Sequence, residues 1–439
     1  MSRLALVLVL VSGITVSAVA SPDSLPRRLD FGWVLETPGD SGAMVKRLQA
    51  RGAAERAGVR IGDRILRAGN SSLNNDADLS ALRFAGPVGK ALPLELSRSS
   101  QLVHLKIRPA AAPSESHPGI ATELSSIAGP NNLRIRTLLT IPAGAAPHPT
   151  VFIVGWLSCD SVEIPAEYAD ATALLMQDVI EHSGSAVYRI DKPGSGDSQG
   201  VCSATDFTTE FEAYQGAFAA LRADRRLDPK RIVIMGISNG GGVAPLLVNG
   251  EQPAGYVTID GWSKTWFEHM LDLERRRLVL THTPLDRIDS AMAGFSAFYS
   301  KYLLEQMTPG EVLRQRPDLR TLWYDKDDSQ YGRPTAFYQQ LQRLDLAAAW
   351  GRVRVPSLIV WGEYDWIMDK SDQQQMVALV NADGVERATL LIVPGADHNF
   401  GRHLDAQVAF DHGGDGSYPA EAGQRVVDFI RRVSSLSAQ

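Results

Sequence analysis

Short apolar runs alternate with stretches of helical periodicity through most of residues 120–439. The runs at 133–141, 150–154, 186–190, 231–235, 255–259, 357–361 and 389–393 are bounded by Gly, Pro and Asp, and read as strands. Residues 207–221 carry apolar positions at the spacing of an amphipathic helix. Strands alternating with helices predict a mostly parallel sheet covered on both faces, an α/β architecture. From about 262 to 350 the pattern is helical and rich in aromatics. That interval is far longer than a connection between two strands needs, and it predicts a helical cap inserted over the sheet.

The pattern ahead of residue 109 is different. Residues 43–48 read as a strand, and 53–57 as a short helix stopped by Gly58. A Gly62-Asp63 turn then leads into a strand ending at Leu66. Residues 76–84 predict a second helix, while 92–96 and 103–107 alternate as strands do. Residues 28–108 are therefore expected to form a small β-rich domain. Residues 109–119, rich in Pro, Ala and Ser, are expected to be a linker to a second domain at 120–439.

Composition narrows the picture. The chain has 439 residues and a net charge of -6, with no basic cluster of the kind that marks a nucleic-acid surface. At the N-terminus, Arg3, the apolar run 4–11 and the small residues Ala18-Val19-Ala20 resemble a cleavable export signal, which places the mature chain outside the cytoplasm, periplasmic or secreted. No other stretch is long and apolar enough to span a bilayer. Export makes a disulfide admissible for the only two cysteines, Cys159 and Cys202. Both follow predicted strand ends and could meet on one face; two buried thiols are the alternative.

The motif Gly-x-Ser-x-Gly occurs at 196–200 and at 236–240. Ser198 follows a polar, Gly-rich loop, which points to an ordinary loop residue. Ser238 follows the apolar run 232–235 and precedes a helical stretch, the strand–turn–helix context of an exposed nucleophile. Gly241, Gly242 and Pro245 are poor helix formers, so that helix is expected to start loosely or to pack closely on the sheet. A serine hydroxyl needs a base, and the base needs an acid to hold its tautomer. Asp365 lies just past strand 357–361 and His398 just past strand 389–393, on the sheet edge where ligands bind. Asp260 and Glu363 are rival acids, and His403 is read as a packed or solvated residue. The spacing of Asp397, His398, His403, Asp411 and His412 matches no metal-ligand pattern, so no metal or other cofactor is expected.

The run from Ala53 to Leu66 (Ala-Ala-x-x-Ala-Gly-x-x-x-Gly-Asp-x-Ile-Leu) resembles a PDZ domain of the exported bacterial kind. The resemblance implies that a peptide C-terminus could add a strand here, its carboxylate held near Phe31, Gly32 and Trp33. A spacer or lid without a ligand is the other use of such a domain. Residues 120–439 resemble an α/β-hydrolase through Asp191-Lys192-Pro193-Gly194, Gly236-x-Ser238-x-Gly240, Gly362-Glu363-Tyr364-Asp365 and Asp397-His398. That resemblance implies Ser238 as nucleophile, His398 as base and Asp365 as orienting acid. The backbone amides of Asn239 and of Trp156, or else Leu157, would hold the oxyanion. Esterases, thioesterases, lipases and peptidases all share this fold, so the acyl substrate, small molecule or peptide, stays open. A PDZ-led peptide-binding protein with a vestigial hydrolase domain is the alternative.

Overall fold

The computed structural model describes residues 15–17, 19–36, 42–164 and 170–436. Most of the predicted export signal, including the apolar run 4–11, lies outside them. Of that segment, Thr15–Ser17 pairs antiparallel with Ser116–Pro118, and Val19–Ala20 lies parallel to Ala121–Ala128. No described helix is long and apolar enough to cross a membrane.

The larger domain is built on a nine-stranded sheet. Ala121–Ala128 and Arg134–Ile141 form an antiparallel pair, and the latter runs antiparallel to Ala186–Ile190. From there the strands are parallel: Ala186–Ile190, His148–Val154, Leu227–Ile237, Gly255–Ile259, Ser357–Gly362 and Ala388–Val393, in that spatial order. The central strands are buried on both faces, so their side chains alternate between two cores rather than between core and solvent. Ile232 and Ile234 join Phe152 and Phe218 on one face. Val233 and Met235 join Val179 and Ile430 on the other. The strand Ala121–Ala128 has half-polar alternation and was not foreseen from the sequence.

The expected cap is present. It comprises helices Trp266–Leu280, Leu285–Tyr299, Pro309–Gln315, Thr335–Leu341 and Leu346–Gly351. Its aromatics pack mainly on one another: Phe298 lies between Tyr299, Tyr302 and Trp323, with ring centroids 4.7–6.1 Å away. Capping boxes at Thr265/Glu268 and Thr308/Glu311 fix the starts of two cap helices.

The N-terminal domain has its own core, centred on Val45, Ile65, Leu94 and Ile107. Strands Trp33–Leu35, Ala43–Leu48, Arg64–Ala68, Leu92–Arg98 and Gln101–Ile107 lie in that order, with helices Ala53–Arg56 and Asp76–Leu82. Trp33–Leu35 is the edge strand, bonded on one side only.

The segment read as a linker is structured. Ala110–Ala111 pairs with Leu29–Asp30, and Ser116–Pro118 also forms a strand. Glu115 and His117 are buried, Glu115 against the guanidinium of Arg189. Arg27 and Arg28 reach Asp197 and Glu163 of the larger domain. There Arg136 binds Glu163, Asp191 and Asp197 at 2.6–3.0 Å. Three guanidiniums thus face three carboxylates in a mostly buried cluster, which keeps each charge compensated. Arg83 adds a bond from its guanidinium to the Gly196 carbonyl, 2.8 Å. Composition alone misses all of this, because the partners lie far away in the sequence.

Candidate active site

The Leu227–Ile237 strand ends in Ser238, whose backbone is forced to φ 55° and ψ -118°. A non-glycine residue at positive φ is strained and is held there by its surroundings. The next turn passes directly under the neighbouring strand. A Cβ on Gly240 would lie 2.1 Å from the Val154 carbonyl, so no larger residue fits. The α-helix that follows is short, Asn239–Val243, and continues as a 3-10 turn over Ala244–Leu247. Close packing is the reason for its glycines: a Cβ on Gly242 would lie 2.4 Å from Nε1 of Trp262.

Ser238 Oγ lies 2.9 Å from His398 Nε2. His398 Nδ1 lies 2.9 Å from Asp365 Oδ2. Asp365 Oδ1 accepts from the amides of Ile367 and Met368 at 2.8 and 2.9 Å, which fixes the carboxylate plane. Burial alone would disfavour a charged His398. The Asp365 charge and hydrogen bond outweigh burial, with help from Asp397, and raise the imidazole pKa above its ordinary value.

The rivals have other duties. Glu363 accepts from the Gly395 amide, bracing the His398 loop. His403 Nε2 bonds Asp397 Oδ2 at 2.9 Å, and Asp397 Oδ1 accepts from the amides of Asn399 and Gly401. That pair shapes the loop, and the Asp397 charge also contributes to the raised His398 pKa. Ser198 is fully buried: it donates to the Asp191 carbonyl and accepts from the Arg136 amide.

Asp260 is the acid whose role the sequence did not show. Asp260, Asp365 and His398 bring one potential ligand atom each within 4.8 Å of one another. Asp365 takes three hydrogen-bond donors, whereas Asp260 takes one, the Gly362 amide at 2.8 Å. Burial first, then the adjacent Asp365 charge, push the Asp260 pKa well up. Burial beside a second carboxylate favours the protonated form of Asp260, whose other oxygen has no donor.

Asn239, Trp156 and Leu157 all line the cavity above Ser238. Among the described residues no backbone carbonyl accepts from the amide of Asn239 or of Trp156. The loop carrying Trp156 is held from three sides. The Gly155 amide donates to the Tyr214 hydroxyl at 3.0 Å. Buried Lys192 donates from Nζ to the carbonyls of Trp156 and Leu157. Cys159 is disulfide-bonded to Cys202, 43 residues on. Burial brings the Lys192 pKa down to about 8 against the opposing charge of Glu210. The sequence motif containing Lys192 was visible, but its acceptors were not.

The model of the alpha/beta hydrolase family matches residues 150–411, well over half of the chain. The chain is an alpha/beta hydrolase. The PDZ domain model matches residues 13–97, so the hydrolase carries a PDZ domain at its N-terminus. No curated protein sequence matches the hydrolase. Three solved structures that resemble it are distant. Carboxyl esterase 2 from the mycorrhizal fungus Tuber melanosporum is 16% identical, with a TM-score of 0.43, over 72% of this chain and 88% of its own. Est1E from Butyrivibrio proteoclasticus, with ferulic acid bound, is 13% identical, with a TM-score of 0.45, over 70% and 97%. Proline iminopeptidase from Mycobacterium smegmatis is 17% identical, with a TM-score of 0.42, over 72% and 100%.

In the hydrolase's PDZ domain, Phe31 is buried and stacks on Trp33 at 4.8 Å. Gly32 sits at φ 68°, and its amide donates to Asp30 Oδ1 at 2.8 Å, so that amide already has an acceptor. Asp30, Phe31 and Trp33 and residues of helix Asp76–Leu82 line one side of a cavity of about 580 Å³. Its other side includes the disulfide, Asp160 and Ser161. Asp160 and Ser161 also line the cavity above Ser238.

Proposed function

We propose that the protein is an exported serine hydrolase, carboxylesterase-like, that cleaves an ester, thioester or amide through an acyl-enzyme on Ser238. The observation that carries this is the unbroken chain from Ser238 Oγ to His398 to Asp365, 2.9 Å at each link, on a strained strand–turn–helix. Ser238 Oγ attacks the acyl carbon as its proton passes to His398 Nε2. The amides of Asn239 and Trp156 face the oxygen that gains negative charge. When the tetrahedral centre collapses, His398 gives that proton to the leaving group. Water then attacks the acyl-serine, His398 takes its proton, and Ser238 regains one as the carboxylic acid departs. Asp365 keeps His398 in the tautomer with its proton on Nδ1.

A cavity of about 560 Å³ above Ser238 supports a small or medium acyl substrate. The disulfide supports an oxidising, extracytoplasmic location. The cavity between the PDZ domain and the disulfide supports a second role, in which a bound peptide C-terminus bears on the loop that carries Trp156. Titrating a library of peptide C-termini against the whole protein measures this, and no binding up to high micromolar concentration would leave the PDZ domain as a spacer.

Labelling with a fluorophosphonate probe followed by peptide mapping tests the main reading. An adduct on Ser238 supports it. Folded protein that gives no adduct, or one on another residue, contradicts it.

A further inference from the structure

Lys192 sits in the loop that follows strand Ala186–Ile190 and is only 4% exposed. A lysine ammonium is rarely taken out of water without a carboxylate against it. Among the described residues no carboxylate accepts a hydrogen bond from this one. Glu210 Oε1 stands off at 3.8 Å, and the same carboxylate binds the fully buried guanidinium of Arg333. One acid therefore serves two buried cations. What Lys192 does touch is backbone: Nζ donates to the Trp156 carbonyl and, at 3.0 Å, to the Leu157 carbonyl.

Those two bonds fix peptide planes. In a trans peptide the carbonyl and the following N–H share a plane and point opposite ways. Holding the Trp156 carbonyl thus sets the direction of the Leu157 amide, and holding the Leu157 carbonyl sets that of Ser158. The plane before them carries the Trp156 amide. The nucleophile turn holds that one, since the Gly155 carbonyl accepts from the Gly240 amide at 3.0 Å. Three successive planes are thereby fixed in the loop that lines the cavity with Ser238, two of them by one side chain. The same side chain puts a positive charge behind the carbonyls, which polarises each peptide and makes its N–H a better donor.

Glu210 faces Lys192 from helix Phe207–Ala223, Arg333 from the short strand Arg333–Pro334, and Asp160 from beyond the held loop. Burial pushes the hydroxyl pKa of Tyr214, on the same helix as Glu210, above its ordinary value, so it stays neutral. Asp191, next in the chain, is ionised against Arg136 at 2.6 Å. Cys159 and Cys202 are joined and do not titrate. Burial, opposed by Glu210 and Asp160 and aided by Arg333, brings the Lys192 pKa down to about 8. The ammonium therefore gives way to the amine within an ordinary assay range. The amine still donates, but a bond without charge is about half as strong.

We infer that Lys192 is a positioning residue for the proposed acyl transfer: its ammonium clamps the Trp156–Leu157 turn so that the loop amides meet the oxyanion. This rests on the hydrolase reading above. Lys192 is not among the described residues that line the cavity above Ser238, so it acts through the loop. The oxyanion exists only at the transition state, so the clamp acts on kcat rather than on KM. The protonated form is the active one, and the rate falls as pH rises through the Lys192 pKa to a lower plateau set by the amine.

The test uses the whole protein, p-nitrophenyl butyrate as ester and a fluorophosphonate as probe. Wild-type kcat and the rate of Ser238 labelling are expected to fall severalfold between pH 7 and pH 9.5, with a midpoint near 8. Lys192→Met is expected to lower kcat at pH 7 by about ten- to a hundredfold, less than the loss of an oxyanion donor outright, with KM changed by less than about threefold. Its rate is expected to be flat over the same pH range. A kcat equal to wild type, a change in KM alone, or an alkaline fall that survives in folded Lys192→Met would overturn the inference. If that variant does not fold, Asp160→Asn decides, because it removes an exposed charge that favours the ammonium: a lower alkaline midpoint supports the inference, and an unmoved or higher one overturns it. If wild-type protein reacts with neither reagent, the hydrolase reading has failed, and hydrogen exchange decides the clamp separately. Exchange about tenfold faster across residues 155–160 of Lys192→Met, with strand Leu227–Ile237 unchanged, supports it, and unchanged exchange overturns it.

Discussion

His398 and His269 line one cavity, both largely removed from water, and their pKa values move in opposite directions. On the sheet side, His398 has a carboxylate on one nitrogen and a hydroxyl on the other. On the cap side, His269 packs between aromatic rings, and no side-chain hydrogen bond to its ring is found among the described residues. Burial disfavours the imidazolium in both places; Asp365 outweighs it at His398, whereas at His269 the charges of Arg276, His398 and Lys264 add to it. On the proposed reading, the sheet edge is therefore the side that moves a proton, while the histidine of the cap stays neutral. The positions of the two follow from the fold: strand ends place side chains rigidly, while an inserted helix can change its face without disturbing the triad geometry.

Four measurements break or sharpen this contrast, taken from the largest effect downward. Ser238→Ala removes the hydroxyl that lies 2.9 Å from His398 Nε2, and on the proposed reading turnover of any accepted ester is expected to fall on the order of a million-fold. Full activity in clean protein would end the assignment of the sheet edge as the chemical side. Asp365→Asn keeps the shape but presents an amide to Nδ1, favouring the wrong tautomer. A loss of kcat of about ten-thousand-fold is expected, with far less change in KM.

The third is the acid limb of the rate profile. Catalysis needs neutral His398, and its pKa is raised, so kcat/KM falls as pH drops through a midpoint above the ordinary histidine value of about 6.5. A midpoint below that value would mean that burial, not Asp365, governs this histidine. His269, already neutral, contributes no limb in that range.

The smallest effect comes from Asp260. With Asp260 in the protonated form that its raised pKa favours, Asp260→Asn replaces one neutral group by another and is expected to leave both rate and acid limb nearly unchanged. Asp260→Ala takes the donor from Asp365, leaves its charge less compensated and moves the limb upward by up to about one pH unit. A limb that moves down in Asp260→Asn would show that Asp260 carries a charge in the native protein.

Much of the architecture was readable in the chain. The central strands stand out as apolar runs because both faces are buried, and the cap stands out as an interval too long to be a loop. Strand Ala121–Ala128 was missed because one of its faces is polar. Residues 109–119 were misread because Pro, Ala and Ser suggest flexibility, while Glu115, His117 and the short strand pairings make the segment part of the body of the protein. For the site, Ser238, Asp365 and His398 were each marked by a local context, a strand end followed by a turn. The structure brings these three within hydrogen-bonding reach.

The sequence by itself determined the strand-to-turn transitions and the order Ser238, Asp365, His398 along the strand ends, because these depend on residues adjacent in the chain. Only the tertiary structure decided that Asp260 is buried beside Asp365, that Lys192 secures the carbonyls of Trp156 and Leu157, and that Trp266 Nε1 and His269 Nδ1 are buried without partners. Each of these depends on a balance of burial and charge among groups distant in sequence, and that balance does not exist until the chain has folded.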